Sequence, residues 1–217
     1  MQYSAQCYFP VRCKAVTGLR QRKRERTRAA LVTAAKELFT ERGYDQTTVA
    51  DIAAQAEVGT RTFFTYFKSK DELLFPDAAA RVAAALAAIE QREPSEGPVD
   101  VLLRALNSSG VAQTDLVSDL AALRLRLIRE VPAVRGRALQ LQLDAQREIA
   151  RSLHAAYPDE YDLPTASALV GAYLGAVAGA LDALLDSNAA PRSESDLRAL
   201  LSTAVRTALY RASGTIT

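Results

Sequence analysis

Between residues 22 and 74 apolar side chains recur at helical spacing in three runs of unequal length, with only short breaks between them. In the first run Leu31, Ala34, Ala35, Leu38 and Phe39 stand at i, i+3, i+4, i+7 and i+8, which is one face of a helix. This helix is expected over 22–42. Arg42 falls in its last turn, and Gly43 follows where a left-handed residue ends a helix. Thr48 opens the second run, whose stripe is Val49, Ile52, Ala53 and Ala56. Asp51 closes a capping-box-like pair with Thr48, with Asp in place of Glu. Val58-Gly59 makes a tight turn. Thr60 to Phe67 is a third short helix with Phe63 and Phe67 inward at i and i+4. A long helix followed by two short ones across a tight turn is the pattern of a helix-turn-helix. Its second short helix enters the DNA major groove.

The rest of the chain keeps the helical period. Helices are expected over 71–92, with Ser69 as a plausible cap, and over 99–106. A loop at 93–98 separates them, and a second loop follows at 107–110. Leu116, Leu120, Leu123, Leu127 and Val131 form the next core stripe. The run Leu123-Arg124-Leu125-Arg126-Leu127 alternates like a strand, but Leu and Arg are helix formers and the wider window keeps the helical period. Pro132 starts a helix to about Tyr157. Helices at 165–186 and 194–212 are split by Ala190-Pro191-Arg192-Ser193. The chain is rich in Ala, with ten Gly and eight Pro in 217 residues, which favours helix throughout. The expectation is an all-α protein of about nine helices. It has a disordered tail at 1–18, a three-helix unit at 19–75 with its helix-turn-helix at about 48–67, and a helical body at 76–217.

The net charge of +2 conceals a gradient: residues 1–28 carry +7 and the remainder −5. A basic end on a slightly acidic body is the electrostatic footprint of a nucleic-acid binder, though membrane surfaces attract the same pattern. Pro10 and Arg12 interrupt the apolar residues near the start, so no signal-peptide core forms. Residues 163–181 lack any charge, which is long enough to suggest a membrane span. Nearly half of them are Ala and Gly, however, and they are flanked by Asp162 and Asp182 with no basic anchor. A helix buried in a soluble interface is the preferred reading, with no membrane partner and the cytoplasm as location. Cys7 and Cys13 are then reduced thiols, and their spacing is not that of a zinc site. With one His, no nucleophile–base pair and no glycine-rich phosphate loop, no enzyme, metal or cofactor is expected. The alternative is a helical-bundle adaptor or enzyme without specific DNA binding; a gel shift on the upstream region separates the two.

If Phe63 and Phe67 point inward, Thr60, Arg61, Phe64 and Thr65 point outward, where bases would lie. Arg can read guanine O6 and N7, and Thr can meet a thymine methyl or a base edge. Tyr66 and Lys70, near the end of this helix, are placed for phosphates, which fix register without reading sequence. Thr48 and the amides after it form an anion site of the helix-terminus kind. Thr62 and Arg28 complete the candidate DNA-binding set. Arg61 could also meet a phosphate or remain solvated. The arginines from Arg20 to Arg28 fit a solvated face, a loose phosphate clamp or a minor-groove arm.

The run Ala35, Leu38, Phe39, Gly43, Tyr44, Thr47, Thr48, Val49, Asp51, Ile52, Ala53, Ala56, Val58, Thr62, Phe63, Tyr66, Phe67, Lys70, Asp71 and Leu73 resembles, in register and without gaps, the TetR (tetracycline-repressor-like) family. Three positions depart: Glu57 stands where the family usually has Gly, Gly59 where it usually has Ser, and Phe64 where it often has Tyr. The resemblance covers about residues 22–75. It implies that 76–217 is an all-α ligand-binding and dimerisation domain. It also implies a homodimer that usually represses, and that leaves its DNA when a small molecule binds.

Two further sets of residues follow. Arg124, Arg126, Arg129, Arg135 and Arg137 could line a pocket for an acidic ligand such as an acyl-coenzyme A, or form a solvated face. His154, Tyr157, Tyr161 and Tyr173 could polarise a ligand or serve core and interface. Ser167, Gly171, Gly175, Gly179 and Ala183 recur every four residues, a smooth groove for a close helix. Leu197, Leu200, Leu201, Ala204, Ala208 and Leu209 offer a matching face on the last helix. Two such helices from each chain would make a four-helix bundle across a two-fold axis, setting the recognition helices on a palindrome.

Overall fold

The computed structural model describes residues 12–108, 118–186 and 193–212. The expected tail through residue 11, loop residues 109 and 110, Leu116 and the 190–192 break lie outside the described residues. Among the described residues there are nine α-helices, one 3-10 turn and no strand, so the fold is all-α. The chain divides into two compact units, with the boundary between Leu73 and Leu74.

The first unit holds α1 (Arg12–Glu41), α2 (Val49–Gln55) and α3 (Thr60–Tyr66). α1 starts ten residues before its expected beginning, so 12–18, expected as tail, is helical. The physical reason is that no proline falls between Pro10 and Pro76 to stop a helix, and residues 21–28, nearly all Gln, Lys, Arg and Glu, favour it strongly. The expected face of α1 is buried: Leu31, Ala34, Ala35, Leu38 and Phe39. Gly43 ends the helix at φ +84°, a conformation that suits a residue without Cβ. Thr47 is buried behind it, its hydroxyl 2.8 Å from the Gly43 carbonyl oxygen. Phe39, Tyr44, Ile52, Phe63 and Phe67 complete the core, with Phe39 and Tyr44 ring centroids 5.1 Å apart. α2 ends in a Schellman motif. The Val58 amide donates to the Ala53 carbonyl at 2.9 Å and the Glu57 amide to that of Ala54 at 3.0 Å, with Glu57 itself at φ +54°.

The continuous helix expected over 71–92 is two elements. A 3-10 turn (Asp71–Leu74) comes first and α4 (Ala78–Glu90) follows. Pro76 explains the break: it lacks an amide hydrogen and steers Phe75 away from helical backbone angles.

The second unit contains α4, α5 (Pro98–Asn107), α6 (Asp119–Glu130), α7 (Pro132–Ala156), α8 (Leu163–Asp186) and α9 (Glu194–Ala212). The alternating Leu-Arg run sits in α6 as helix, with Leu123 and Leu127 buried. Pro132 occupies the first turn of α7, where its missing amide hydrogen costs nothing. α8 packs between α7 and α9, while α4 packs on α5 and α7. The core runs through Val101, Leu102, Leu103, Ile149, Leu153, Ala166, Val170, Leu201, Val205 and Leu209. The 91–98 loop is fastened at several points. Arg104 donates to both Glu96 carboxylate oxygens at 2.8 Å, and Tyr157 donates to the Glu96 carbonyl at 2.8 Å. Arg92 donates to the Ala156 carbonyl and stacks on the Tyr157 ring.

Candidate functional site

α3 has seven residues, too few to be stable alone, so packing must position it. Phe63 is fully buried and its ring meets that of Phe67 at 6.0 Å. That anchoring turns Thr60, Arg61, Thr62, Phe64 and Thr65 to the outside, all exposed. Phe64 is 58% exposed, a large apolar side chain left in water. Its ring meets Phe63 edge-on at 5.3 Å, which fixes its direction. The Thr65 hydroxyl donates to the Arg61 carbonyl at 3.2 Å. The surface at 60, 61, 64 and 65 thus offers one guanidinium, two threonines and one ring. Those groups suit guanine edges, thymine methyls and sugar–phosphate surface. Tyr66 is half-buried at the end of the helix, and Lys68 is exposed just beyond it. Sequence reasoning passed over Lys68 because it lies outside the helical period.

Three other candidates hold the unit together. The Thr48 hydroxyl donates to Asp51 Oδ2 at 2.6 Å and accepts from the Asp51 amide at 3.2 Å. The Thr48 amide donates to the same carboxylate at 2.9 Å. These bonds hold the Asp51 carboxyl below its ordinary range. The capping box engages the Thr48 hydroxyl and places the Asp51 carboxylate beside the expected anion site. Lys70 Nζ donates to the Tyr44 carbonyl at 2.7 Å and the Thr47 carbonyl at 3.0 Å, and lies 4.2 Å from the centre of the Tyr44 ring. It secures the turn between α1 and α2. Arg28 stacks on the Phe67 ring at 5.2 Å.

The second unit encloses a cavity of about 520 Å³. Val82, Leu86, Leu106, Leu141, Ile149, Leu174, Val177 and Leu181, from α4, α5, α7 and α8, make its apolar wall. Arg124 and Tyr173 line it as well and are both buried. Arg124 donates to the Leu74 carbonyl at 3.2 Å, with its guanidinium carbon 5.9 Å from the Phe75 ring centre. Burial pushes the Tyr173 hydroxyl up to about 12. The other two ligand candidates lie outside this cavity. His154 Nδ1 is 2.7 Å from the Tyr161 carbonyl oxygen, and Tyr157 fastens the 91–98 loop. The remaining arginines of the expected set do not line this cavity. Arg126, Arg129 and Arg135 are exposed; Arg129 pairs with Asp182 at 2.6 Å and Arg135 donates to the Ile128 carbonyl at 3.0 Å. No cluster of three metal-ligating side chains occurs among the described residues.

The expected dimer stripe divides. A Cβ built on Gly175 or Gly179 meets nothing within 4 Å, and Ala183 is exposed with them. Gly171 instead packs inside the chain, where a Cβ would come within 2.9 Å of Gln146 Nε2, and Gln146 donates to the Ser167 carbonyl at 3.1 Å. On α9 Leu200, Ala204 and Ala208 are exposed and Leu197 is half-buried. Leu201 and Leu209 are corrections, since both lie in the chain's own core. They alternate with the outward residues along the helix, so spacing alone placed both faces in one stripe. α8 is, among the described residues, the one helix long and apolar enough to cross a membrane by length and composition. Its mean hydropathy is 1.8, and 17% of that stretch is buried within the chain.

A family model described as bacterial regulatory proteins, tetR family, matches residues 31–75. That segment holds the buried face of α1, the capping box and all of α3. The HTH-type transcriptional regulator TcmR of Streptomyces glaucescens is 36% identical over 143 residues, 64% of this chain and 63% of that protein. A match of that length extends well past the first unit. The regulator HbdR of Aromatoleum sp. strain CIB is 43% identical over 51 residues, 24% of this chain and 22% of that one. The chain thus spans less than two thirds of the length of these relatives. The crystal structure of Thermus thermophilus FadR, a TetR-family transcriptional repressor in complex with lauroyl-CoA, superposes with a TM-score of 0.54 at 21% identity, covering 88% of this chain and 95% of that one. That likeness concerns the fold. Residues 31–75 thus match the helix-turn-helix of the tetR family of bacterial regulatory proteins, and the helical body that follows shares the fold of a TetR-family repressor.

Proposed function

We propose that this protein is a DNA-binding transcriptional regulator of the cytoplasm, a homodimer that represses from a palindromic operator. A small molecule in the α4–α8 cavity releases it. DNA binding is assigned to 19–75, and ligand binding and dimerisation to 76–217. The observation that carries the reading is the outer face of α3, where Thr60, Arg61, Phe64 and Thr65 are exposed above a buried Phe63. Apart from the Phe64 edge against Phe63, such a face buries little within its own unit, and an exposed Phe beside an Arg is suited to a partner's surface.

The homodimer is supported by α8. An apolar helix so little buried within its own chain needs a cover. Gly175, Gly179 and Ala183 would let a second helix approach closely, beside Leu200, Ala204 and Ala208 of α9. A two-fold axis there would present two copies of α3 to half-sites about 34–36 Å apart, or a multiple of that. The ligand reading is supported by the cavity, whose volume is that of a drug-sized site.

Selection from a library of random-sequence duplexes, with the full chain as bait, tests the reading. The expected product is a palindrome whose affinity falls linearly with the logarithm of salt concentration. Recovery of duplexes with no shared sequence would overturn it.

A further inference from the structure

We propose that the α4–α8 cavity takes an apolar organic acid, its anionic oxygens held by the Tyr173 hydroxyl and the Arg124 guanidinium. The inference rests on the reading of this cavity as the effector site.

The argument begins with the walls. Leu86, Leu141, Leu174 and Val177 offer no hydrogen bonds, so the bulk of the occupant must be apolar. The polar groups then select its head. Two of those lining the cavity are buried, Arg124 at 6% exposure and Tyr173 at 7%. Both are donors at neutral pH. A guanidinium has five N–H groups, no acceptor, and does not deprotonate. The Tyr173 phenol, pushed up to about 12, keeps its proton. Burial is the one cause of that shift, and no hydrogen bond to this hydroxyl occurs among the described residues. The hydroxyl is not among the fully buried atoms left without a partner, so it opens onto accessible space where a ligand oxygen can accept from it. Arg124 on α6 and Tyr173 on α8 both line the cavity, and a two-oxygen head such as a carboxylate offers an acceptor to each. The carboxylates lining the cavity are at its exposed part: Asp144 and Glu148 on α7 are open to water, and Asp144 lies 3.6 Å from Arg147. Water screens their repulsion of an acid held at the buried end. A cationic amphiphile would reverse this arrangement, with its charge at the rim and nothing for Tyr173.

Calorimetric titration of the full chain with biphenyl-4-carboxylate and with biphenyl-4-ylmethylammonium tests this, since the two share one apolar body. The carboxylate is expected to bind about tenfold tighter or more, as a charge-assisted hydrogen bond warrants. Tyr173→Phe keeps the ring packing and removes the hydroxyl alone. It should weaken the carboxylate about threefold to tenfold and leave the ammonium unchanged. Arg124→Gln should abolish the preference, but it also removes the bond to Leu74, so Tyr173→Phe is the decisive variant. Equal or tighter binding of the ammonium overturns the proposal while leaving the effector cavity standing. So does a Tyr173→Phe protein with undiminished carboxylate affinity. Failure of both compounds to bind the wild type overturns the effector-site reading and this proposal with it.

Discussion

Glu57 occupies the one left-handed position among the described non-glycine residues, at φ +54°. It is the residue after the C-cap of α2, the place in a Schellman motif where glycine is favoured, and both bonds of the motif are formed there. A side chain with Cβ in this conformation costs roughly 1–2 kcal/mol. Glu57→Gly removes that strain but gives the unfolded chain more freedom, which costs about 0.5–1 kcal/mol. The difference predicts that Glu57→Gly stabilises the α2–α3 turn by about 0.5–1 kcal/mol. A chain of two units need not unfold in one step, so a global melt is the wrong observable. Amide hydrogen exchange of the 49–66 segment in the full chain reports the local equilibrium, and should slow by roughly twofold to fivefold. Glu57→Ala is the control, because it removes the carboxylate and keeps the Cβ. Equal slowing by alanine and glycine would attribute the gain to charge and refute the backbone argument.

Lys70→Met keeps the apolar stem and removes an ammonium bonded to two carbonyls. It should destabilise the first unit by about 1–3 kcal/mol, read as faster exchange in 44–55, and unchanged exchange would show those bonds to be idle. Arg61→Ala should weaken the selected operator by about 1–3 kcal/mol and relax the preference at one base position. An equal loss on random DNA would make Arg61 a phosphate contact. A Cβ added at Gly175 meets nothing within 4 Å, so Gly175→Leu should leave the helix content intact and give a monomer by sedimentation. A surviving dimer would move the interface elsewhere.

The helices were legible because period and punctuation agreed, as at Leu31 to Phe39 followed by Gly43, or at Thr48 with Asp51. The break at Pro76 was missed because the apolar period continues across it, whereas an absent amide hydrogen is a backbone fact that periodicity does not register. Lys70 shows another limit. Nothing in its spacing reveals that its length carries it onto the Tyr44 and Thr47 carbonyls, 26 and 23 residues away in sequence. Arg124 and Tyr173 were singled out among other arginines and tyrosines, and only packing separates them. Arg126 and Arg129 share a helix with Arg124 yet face water. On α9 the half-buried Leu197 and the buried Leu201 fall at the same spacing as the exposed Leu200 and Ala204, so the side that meets its own core could not be chosen from the pattern.

The first unit separates what places α3 from what α3 presents. Seven residues form at most two turns of helix, and their propensity cannot hold them in water. Their position comes from below: Phe63 in the core, Phe67 under the Arg28 guanidinium, and the loop before α2 tied by Lys70. None of those groups needs to touch DNA. Thr60, Arg61, Phe64 and Thr65 stand on the other side, where substitution removes no buried contact other than the edge of Phe64 against Phe63. Changes beneath the helix therefore alter how much of the protein is competent to bind, scaling affinity for every duplex alike. On the proposed function, changes on its outer face are expected to alter which duplex is preferred at constant stability. Such a motif would take a new operator by substitutions at those four positions without redesign of the core, because the side chains that position the helix are not those proposed to discriminate bases.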